Sequence, residues 1–220
     1  GDEAHLFKAQ SLTSIMTACT NTKYRIGLTG TLDGTKTHKL VLEGLFGPVK
    51  QVITTKELID KKILSDFQIK CLILKHSDDK CEESRDWSYQ EELDYLVNSS
   101  NRNRFIRNLA ISMKNNTLVL FQMVEKHGTK LYEMIKERAG NRKVFFVHGS
   151  VDTEDREEIR HIMEKENDAI VVASYGTFST GINIRNLHNI IFASPSKSRV
   201  RNLQSIGRGL RQSSGKEQAT

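Results

Sequence analysis

"TLVLFQMVEKHGTKLYEMIKERAGNRKVFFVHG" occupies residues 117–149 and sets the architecture of the chain. It begins with "TLVLF" (117–121), an unbroken apolar run too short for a core helix and rich in residues that favour strands. Leu131, Met134 and Ile135 then recur at helical spacing in an otherwise charged segment. "KVFFVH" (143–148) closes the unit as a second strand. Strand, helix, strand over so short a distance predicts a parallel crossover. Parallel strands are covered on both faces, which is why these runs are continuous rather than alternating.

The same rhythm extends in both directions. Upstream, Phe105, Ile106, Leu109, Ala110 and Met113 form a helical stripe, while "RIGL" (25–28) and "FQIKCLIL" (67–74) predict buried strands. Downstream, Ile159, Ile162 and Met163 mark a helix, and "AIVVAS" (169–174) and "NIIFAS" (189–194) two more strands. Thr54 with Glu57 predicts a capping box at the start of "TKELIDKK", and Asp152 a cap for "TEDREEI". The fold class that follows is α/β, an open and mostly parallel sheet with helices on both faces. "IDKKILSD" ends a helical pattern before a new strand, so a domain boundary is placed near 62–66. "HSDDKCEESRDWSYQEELDY" (76–95) carries eight acidic residues against two basic ones and reads as a surface insertion. Its Trp87 and Tyr89 are expected to anchor it to the core rather than to stack on a base.

Composition narrows the classes. The 220 residues suffice for a sizeable core. No apolar run approaches the ~20 residues of a membrane span, and no signal peptide is evident. Cys19, Cys71 and Cys81 are far apart and form no CxxC pair, which argues against structural zinc and a disulfide framework. A reducing, cytoplasmic setting is expected. The net charge of +6 is concentrated: from Ser174 onward seven Lys/Arg face Glu217 alone. Such an end suits phosphate, of a nucleotide or of a nucleic-acid backbone.

Several short motifs carry chemistry. In "DEAH" (2–5) Asp2 suits Mg²⁺ held through its water shell, and Glu3 can orient or deprotonate water. His5 can couple such a site to its neighbours. "YRIGLTGTL" ends a strand in Thr29-Gly30-Thr31. Beside it "GTLDGTKT" (30–37) mimics a phosphate cradle, but the spacing is wrong and Thr35 stands where lysine is required. "VVASYGTFSTGINI" (171–184) predicts a strand running into a loop of hydroxyls and glycines, whose N–H groups suit phosphates, with Asn183 able to reach a ribose. In "LQSIGRGLRQ" (203–212) Arg208 and Arg211 would share a helix face, with Gln204 one turn before Arg208. Its two glycines each cost a helix about 1 kcal/mol, which predicts close packing against another domain. Each motif alone has an ordinary structural explanation.

Read in order, "DEAH", "LTGT", "TLVLFQ", "ASYGTFSTGINI" and "QSIGRGLR" resemble motifs II to VI of the superfamily-two, DEAH-type helicases. "FFVHGSVDTEDREEI" resembles the stretch between motifs IV and V. The resemblance implies a motor of two RecA-like lobes with ATP and Mg²⁺ between them. It assigns the metal to Asp2, water activation to Glu3, and coupling to His5, Thr29 and Thr31. Gln204, Arg208 and Arg211 would face the nucleotide, with Gly181 and Asn183 beside it. Gln122, His148, Gly149, Thr177 and Thr180 would line a nucleic-acid track. The implied activity is that of an ATP-dependent helicase or translocase in recombination, replication and repair. Its partners would be branched or duplex DNA or an RNA–DNA hybrid, engaged by a monomer with no membrane role. The family's phosphate-binding Gly-Lys-Ser/Thr is missing ahead of "DEAH". Residues 1–62 are therefore expected to complete a first lobe and 63–220 to form most of a second, with no turnover by the chain alone. A RecA-like module that binds strands without coupled hydrolysis, and a nucleotide-sensing regulatory domain, remain as alternatives.

Overall fold

The decisive strand, β2 (Thr117–Phe121), lies at the centre of a four-stranded sheet in a computed structural model that describes residues 1–4, 10–32, 36–181 and 184–220. Among the described residues the chain opens with α1 (Gln10–Ala18), α2 (Lys36–Phe46) and α3 (Thr55–Asp60). A short strand β1 (Asp66–Phe67) follows, then α4 (Asp78–Glu83), α5 (Tyr89–Asn98) and α6 (Ser100–Ser112). After β2 a π-helical turn, Val124–Gly128, runs directly into α7 (Thr129–Arg138). The remainder alternates: β3 (Val144–Val147), α8 (Thr153–Lys165), β4 (Ile170–Ser174), α9 (Tyr175–Gly181), β5 (Asn189–Phe192), α10 (Arg199–Gly209) and β6 (Gln218–Ala219).

The order across the sheet is β3-β4-β2-β5, all parallel, with Leu118 opposite both Val171 and Ile190. Successive residues of a strand point to opposite faces, and each face has its own core. Leu118, Leu120, Val171 and Ala173 pack with Met163 of α8 and Phe178 of α9. Val119, Phe121, Ile170 and Val172 pack with Ile106 and Ala110 of α6 and with Leu131 and Ile135 of α7. Full burial of each such aliphatic side chain contributes about 1.5–3 kcal/mol, so the predicted stripes and runs supply most of the cohesion. β1 and β6 form a parallel pair attached to the outer edge of β5. The attachment runs through the Thr220 N–H to the His188 carbonyl and the Ile190 N–H to the Thr220 carbonyl, both 2.8 Å.

One turn is tightly constrained. A Cβ on Gly128 would fall 2.5 Å from Cζ of Phe121, a buried ring stacked on Phe146. Gly128→Ala is therefore expected to destabilise the protein by about 1–3 kcal/mol, measured by urea unfolding, since the ring has nowhere to go. An unchanged midpoint would show that the π-helical turn can shift.

Four expectations need correction. Within "FQIKCLIL" only Phe67 belongs to a strand; beyond the Gln68 N–H to Ala219 carbonyl bond its backbone finds no neighbour among the described residues. Ile69 and Ile73 are consequently 64% and 86% exposed, and the segment borders an apolar cavity of about 650 Å³ shared with Phe105, Leu109 and Ile190. "RIGL" is extended and bonded to Gly1, but Ile26 and Leu28 are exposed rather than buried. Asp152 occupies the N-cap of α8 without a side-chain bond to it, whereas Thr54 and Glu57 form the full capping box of α3. The hydroxyl-rich stretch after β4 is a helix, α9, because Tyr175 and Phe178 turn inward and are buried.

The acidic insertion is helical. Trp87 packs edge-on against Tyr95 at 5.4 Å, and Lys80 lies 5.0 Å from both ring centroids. Leu93 and Val97 of α5 are buried, and Asn103 of α6 donates to the Val97 carbonyl at 2.8 Å. Trp87 thus serves the packing of the insertion itself.

Candidate nucleotide and nucleic-acid site

The acidic end is placed by a short parallel pairing. The Gly1 amino group donates to Ile26 O (2.6 Å), Leu28 N–H to Gly1 O (2.8 Å) and Ala4 N–H to Leu28 O (2.8 Å). Ala4 is buried against Gly27, where a Cβ would lie 3.0 Å from both the Ala4 Cβ and the Phe46 ring. This close approach sets Asp2 and Glu3 at the end of the pair, with both residues exposed. Glu3 has φ +47°, a left-handed conformation that turns the chain sharply, and its N–H donates to Asp2 Oδ1 at 2.9 Å. Just beyond Leu28, Thr29 Oγ1 donates to Thr31 O (2.9 Å) and accepts from Thr31 N–H (3.2 Å). The structure therefore brings Asp2 and Glu3 together with the Thr29–Thr31 turn. His5 lies outside the described residues.

The track candidates follow the carboxyl ends of parallel strands, where open α/β sheets bind ligands. Gln122 follows β2 and is exposed; His148 and Gly149 follow β3; Thr177 lies one turn after β4. His148 Nδ1 pairs with Ser150 Oγ at 2.8 Å, and the Gly149 carbonyl accepts from Arg156 at 2.8 Å. Thr177 is buried with its hydroxyl 2.8 Å from Ser174 Oγ, so in this conformation it does not face solvent. Thr180 and Gly181 fall in the last turn of α9, and Asn183 lies outside the described residues.

Gln204 and Arg208 share a face of α10, a helix started by Ser198 Oγ accepting the Arg201 N–H. The helix ends at Gly209, so Arg211 does not share that face. Its backbone instead bridges Leu64, and Lys216 Nζ binds the carbonyls of Gly209 and Arg211, the latter at 2.9 Å. Burial pushes the Lys216 ammonium down to about 8. Gly209 is explained by its own lobe: a Cβ there would meet Ile190 Cδ1 of β5 at 2.5 Å. The Arg208 guanidinium is half-buried, 5.8 Å from the Phe178 ring centroid. Burial and then Arg211 lower its pKa, and the Glu3 carboxylate raises it. Residues from opposite ends of the chain thus act electrostatically on one another.

A hub that sequence reading missed ties these loops together. Ser194, just after β5, accepts the Gln122 N–H at 3.1 Å, meets His127 Nδ1 at 3.0 Å, and takes the Tyr175 hydroxyl on its carbonyl at 2.8 Å. Arg102 donates to the Ala193 carbonyl beside it at 2.6 Å. Burial raises Tyr175 to about 12, against the pull of Arg201 and Arg102. The serine stands in the quoted "NIIFAS" run, but nothing in its spacing signals three loops converging.

The geometry is that of a parallel α/β lobe whose final helix is basic. The helicase conserved C-terminal domain matches residues 100–213, and the chain belongs to that family. Among individual proteins it is similar to the ATP-dependent DNA helicase uvsW of Enterobacteria phage T4, with 35% identity over 222 residues, all of this chain and 44% of uvsW. The crystal structure of T4 UvsW superposes with a TM-score of 0.58 at 34% identity, covering 94% of this chain and 40% of that one. The restriction-modification enzyme LlaBIII bound to DNA shares the fold at a TM-score of 0.63 and 17% identity, covering 100% of this chain and 17% of its own. S. cerevisiae Dbp5 bound to RNA and ADP BeF3 does so at 0.54 and 10%, covering 94% and 48%. The fold is α/β and RecA-like. The chain spans less than half the length of uvsW. Among the described residues no helix is long and apolar enough to cross a membrane.

Proposed function

We propose that this chain is the arginine-bearing part of an ATP-driven DNA helicase or translocase, with residues 1–62 belonging to the first motor lobe and 63–220 to the second. The observation that supports the reading is that the Glu3 carboxylate raises the Arg208 pKa against burial and Arg211, as expected if the two groups face one cleft. Asp2 fits Mg²⁺: it is an exposed carboxylate in the turn between Gly1 and Ala4, with one oxygen already oriented by the Glu3 N–H. When bound there, the ion neutralises charge on the phosphates of ATP. Glu3 orients the attacking water, and Arg208 and Arg211 stabilise charge that grows on the γ-phosphate. Gln204 and Asn183 would contact the nucleotide beside Gly181, and His5, Thr29 and Thr31 would relay its state. Gln122, His148, Gly149, Thr177 and Thr180 would hold the strand, and Thr177 would have to leave Ser174 to do so. Similarity to a phage DNA helicase favours DNA, branched or duplex, over an RNA–DNA hybrid. A monomer working in the cytoplasm completes the reading.

These 220 residues contain no phosphate cradle of the GxxxxGK[ST] form. The purified chain is expected to bind single-stranded DNA in a salt-dependent manner and to show no appreciable ATP turnover with or without DNA. Turnover that Glu3→Gln abolishes would overturn the assignment of separate half-sites.

A further inference from the structure

The connections after β2 and β5 lie side by side, joined by the Gln122 N–H to Ser194 Oγ bond. Each carries an exposed lysine, Lys126 in the π-helical turn and Lys197 just before α10. Both lysines are engaged by the acidic insertion. Lys126 Nζ lies 3.0 Å from Asp94 Oδ1, and Lys197 Nζ lies 4.2 Å from the ring centroid of Tyr89. Asp94 and Tyr89 stand on α5, which is anchored by buried Leu93 and Val97, so the acidic helix is held over these two cations by its own packing.

We propose that Lys126 and Lys197 are two further phosphate-binding positions beside Gln122, capped in the strand-free protein by Asp94 and Tyr89. The inference rests on the nucleic-acid reading above and adds residues and a competing ligand to it. A phosphate oxygen makes the same contact with Lys126 that the Asp94 carboxylate makes. The pair is solvent-accessible on both sides, with side chains 58% and 37% exposed, so it is weak and exchangeable. Nucleic-acid phosphates displace it with release of condensed counterions, a gain the carboxylate cannot match. The insertion thereby raises the threshold for binding: short or sparsely charged anions leave the cap closed, and a continuous backbone opens it.

The test is fluorescence anisotropy of a labelled oligothymidine against the full chain across a salt series. Lys126→Ala and Lys197→Ala are each expected to lower the magnitude of the log K against log[salt] slope by about 0.7. Asp94→Asn is expected to tighten binding by up to about fivefold, the equivalent of one exposed ion pair. Tyr89→Leu is expected to tighten it likewise, while Tyr89→Phe, which keeps the ring, leaves it unchanged. Lys143→Ala, at the amino end of β3 on the opposite edge of the sheet, leaves the slope unchanged. Unaltered slopes in both lysine variants, with the parent still binding, would overturn the phosphate positions. Unaltered affinity in Asp94→Asn alongside weakened lysine variants would overturn the cap. Absence of salt-dependent binding by the parent would defeat the nucleic-acid reading and this inference together.

Discussion

Replacing Arg208 and Arg211 together by alanine is expected to lower ATP hydrolysis by on the order of 10³-fold or more in a motor that unites this chain with a phosphate-binding first lobe. That loss equals about 4 kcal/mol of transition-state stabilisation. On the proposed reading it reflects two guanidinium groups, one on the last turn of α10 and one just past it, that would converge on charge growing on the transferred phosphoryl group. Strand binding is expected to survive, because neither residue lies on the loops that follow β2, β3 and β4. Single-turnover hydrolysis and DNA anisotropy on the same preparation separate the two effects. A variant that hydrolyses normally but loses strand affinity with a shallower salt slope would make the chain a binding module instead.

A second large effect is acid sensitivity from His127. The imidazole is fully buried, with Nδ1 on Ser194 Oγ at 3.0 Å and Nε2 on Asn103 Oδ1 at 3.1 Å. Asn103 Oδ1 can only accept, its amide nitrogen donating to Val97 O, so the neutral ring donates from Nε2 and Nδ1 accepts the Ser194 hydroxyl proton. Both ring nitrogens are satisfied in the neutral form. Burial, then Arg102 and Lys130, push its pKa down to about 4 from 6.5. The unfolded chain takes up this proton below pH 6.5 and the native state does not until about pH 4. The stabilisation is therefore complete above pH 6.5 and lost as pH falls towards 4, about 3 kcal/mol in all. Urea unfolding at intervals from pH 7 to 4.5 should show the wild type losing stability more steeply than His127→Gln, which is less stable at neutral pH but flatter. Parallel curves for the two proteins would sink the assignment.

β2 and β4 were legible because each is covered on both faces, so that its apolar run reports burial directly. The partly buried β3 and β5 beside them were legible from similar apolar runs. Ile69 and Ile73 misled for the opposite reason. An apolar run becomes a strand only where another backbone offers bonds, and among the described residues one lies beside Phe67 and Gln68 but not beyond. Tyr175 and Phe178 were hidden in a stretch whose hydroxyls and glycines favour turns, and burial of two aromatic rings outweighed that preference. The helical phase of Arg208 and Gln204 was readable, whereas the end of α10 before Arg211 depends on Lys216 reaching back to the helix carbonyls. The proximity of Asp2 and Glu3 to Thr29 could be expected only from the order of the motifs, since it rests on a backbone pairing of Gly1 with Ile26 and Leu28. The Ser194 hub was not readable at all, because it joins β2, β5 and α9 through side chains whose spacing carries no period.

The pairing of Asp66 with Gln218 has a kinetic consequence. During synthesis β1 leaves the ribosome long before the segment that must sit between it and β5. Pairing at such sequence separation is slow, because loop closure precedes any gain from contact. The outer margin of the sheet should therefore zip last, after the β2–β4 nucleus has condensed. Until then the apolar wall around Ile190 stays open to solvent.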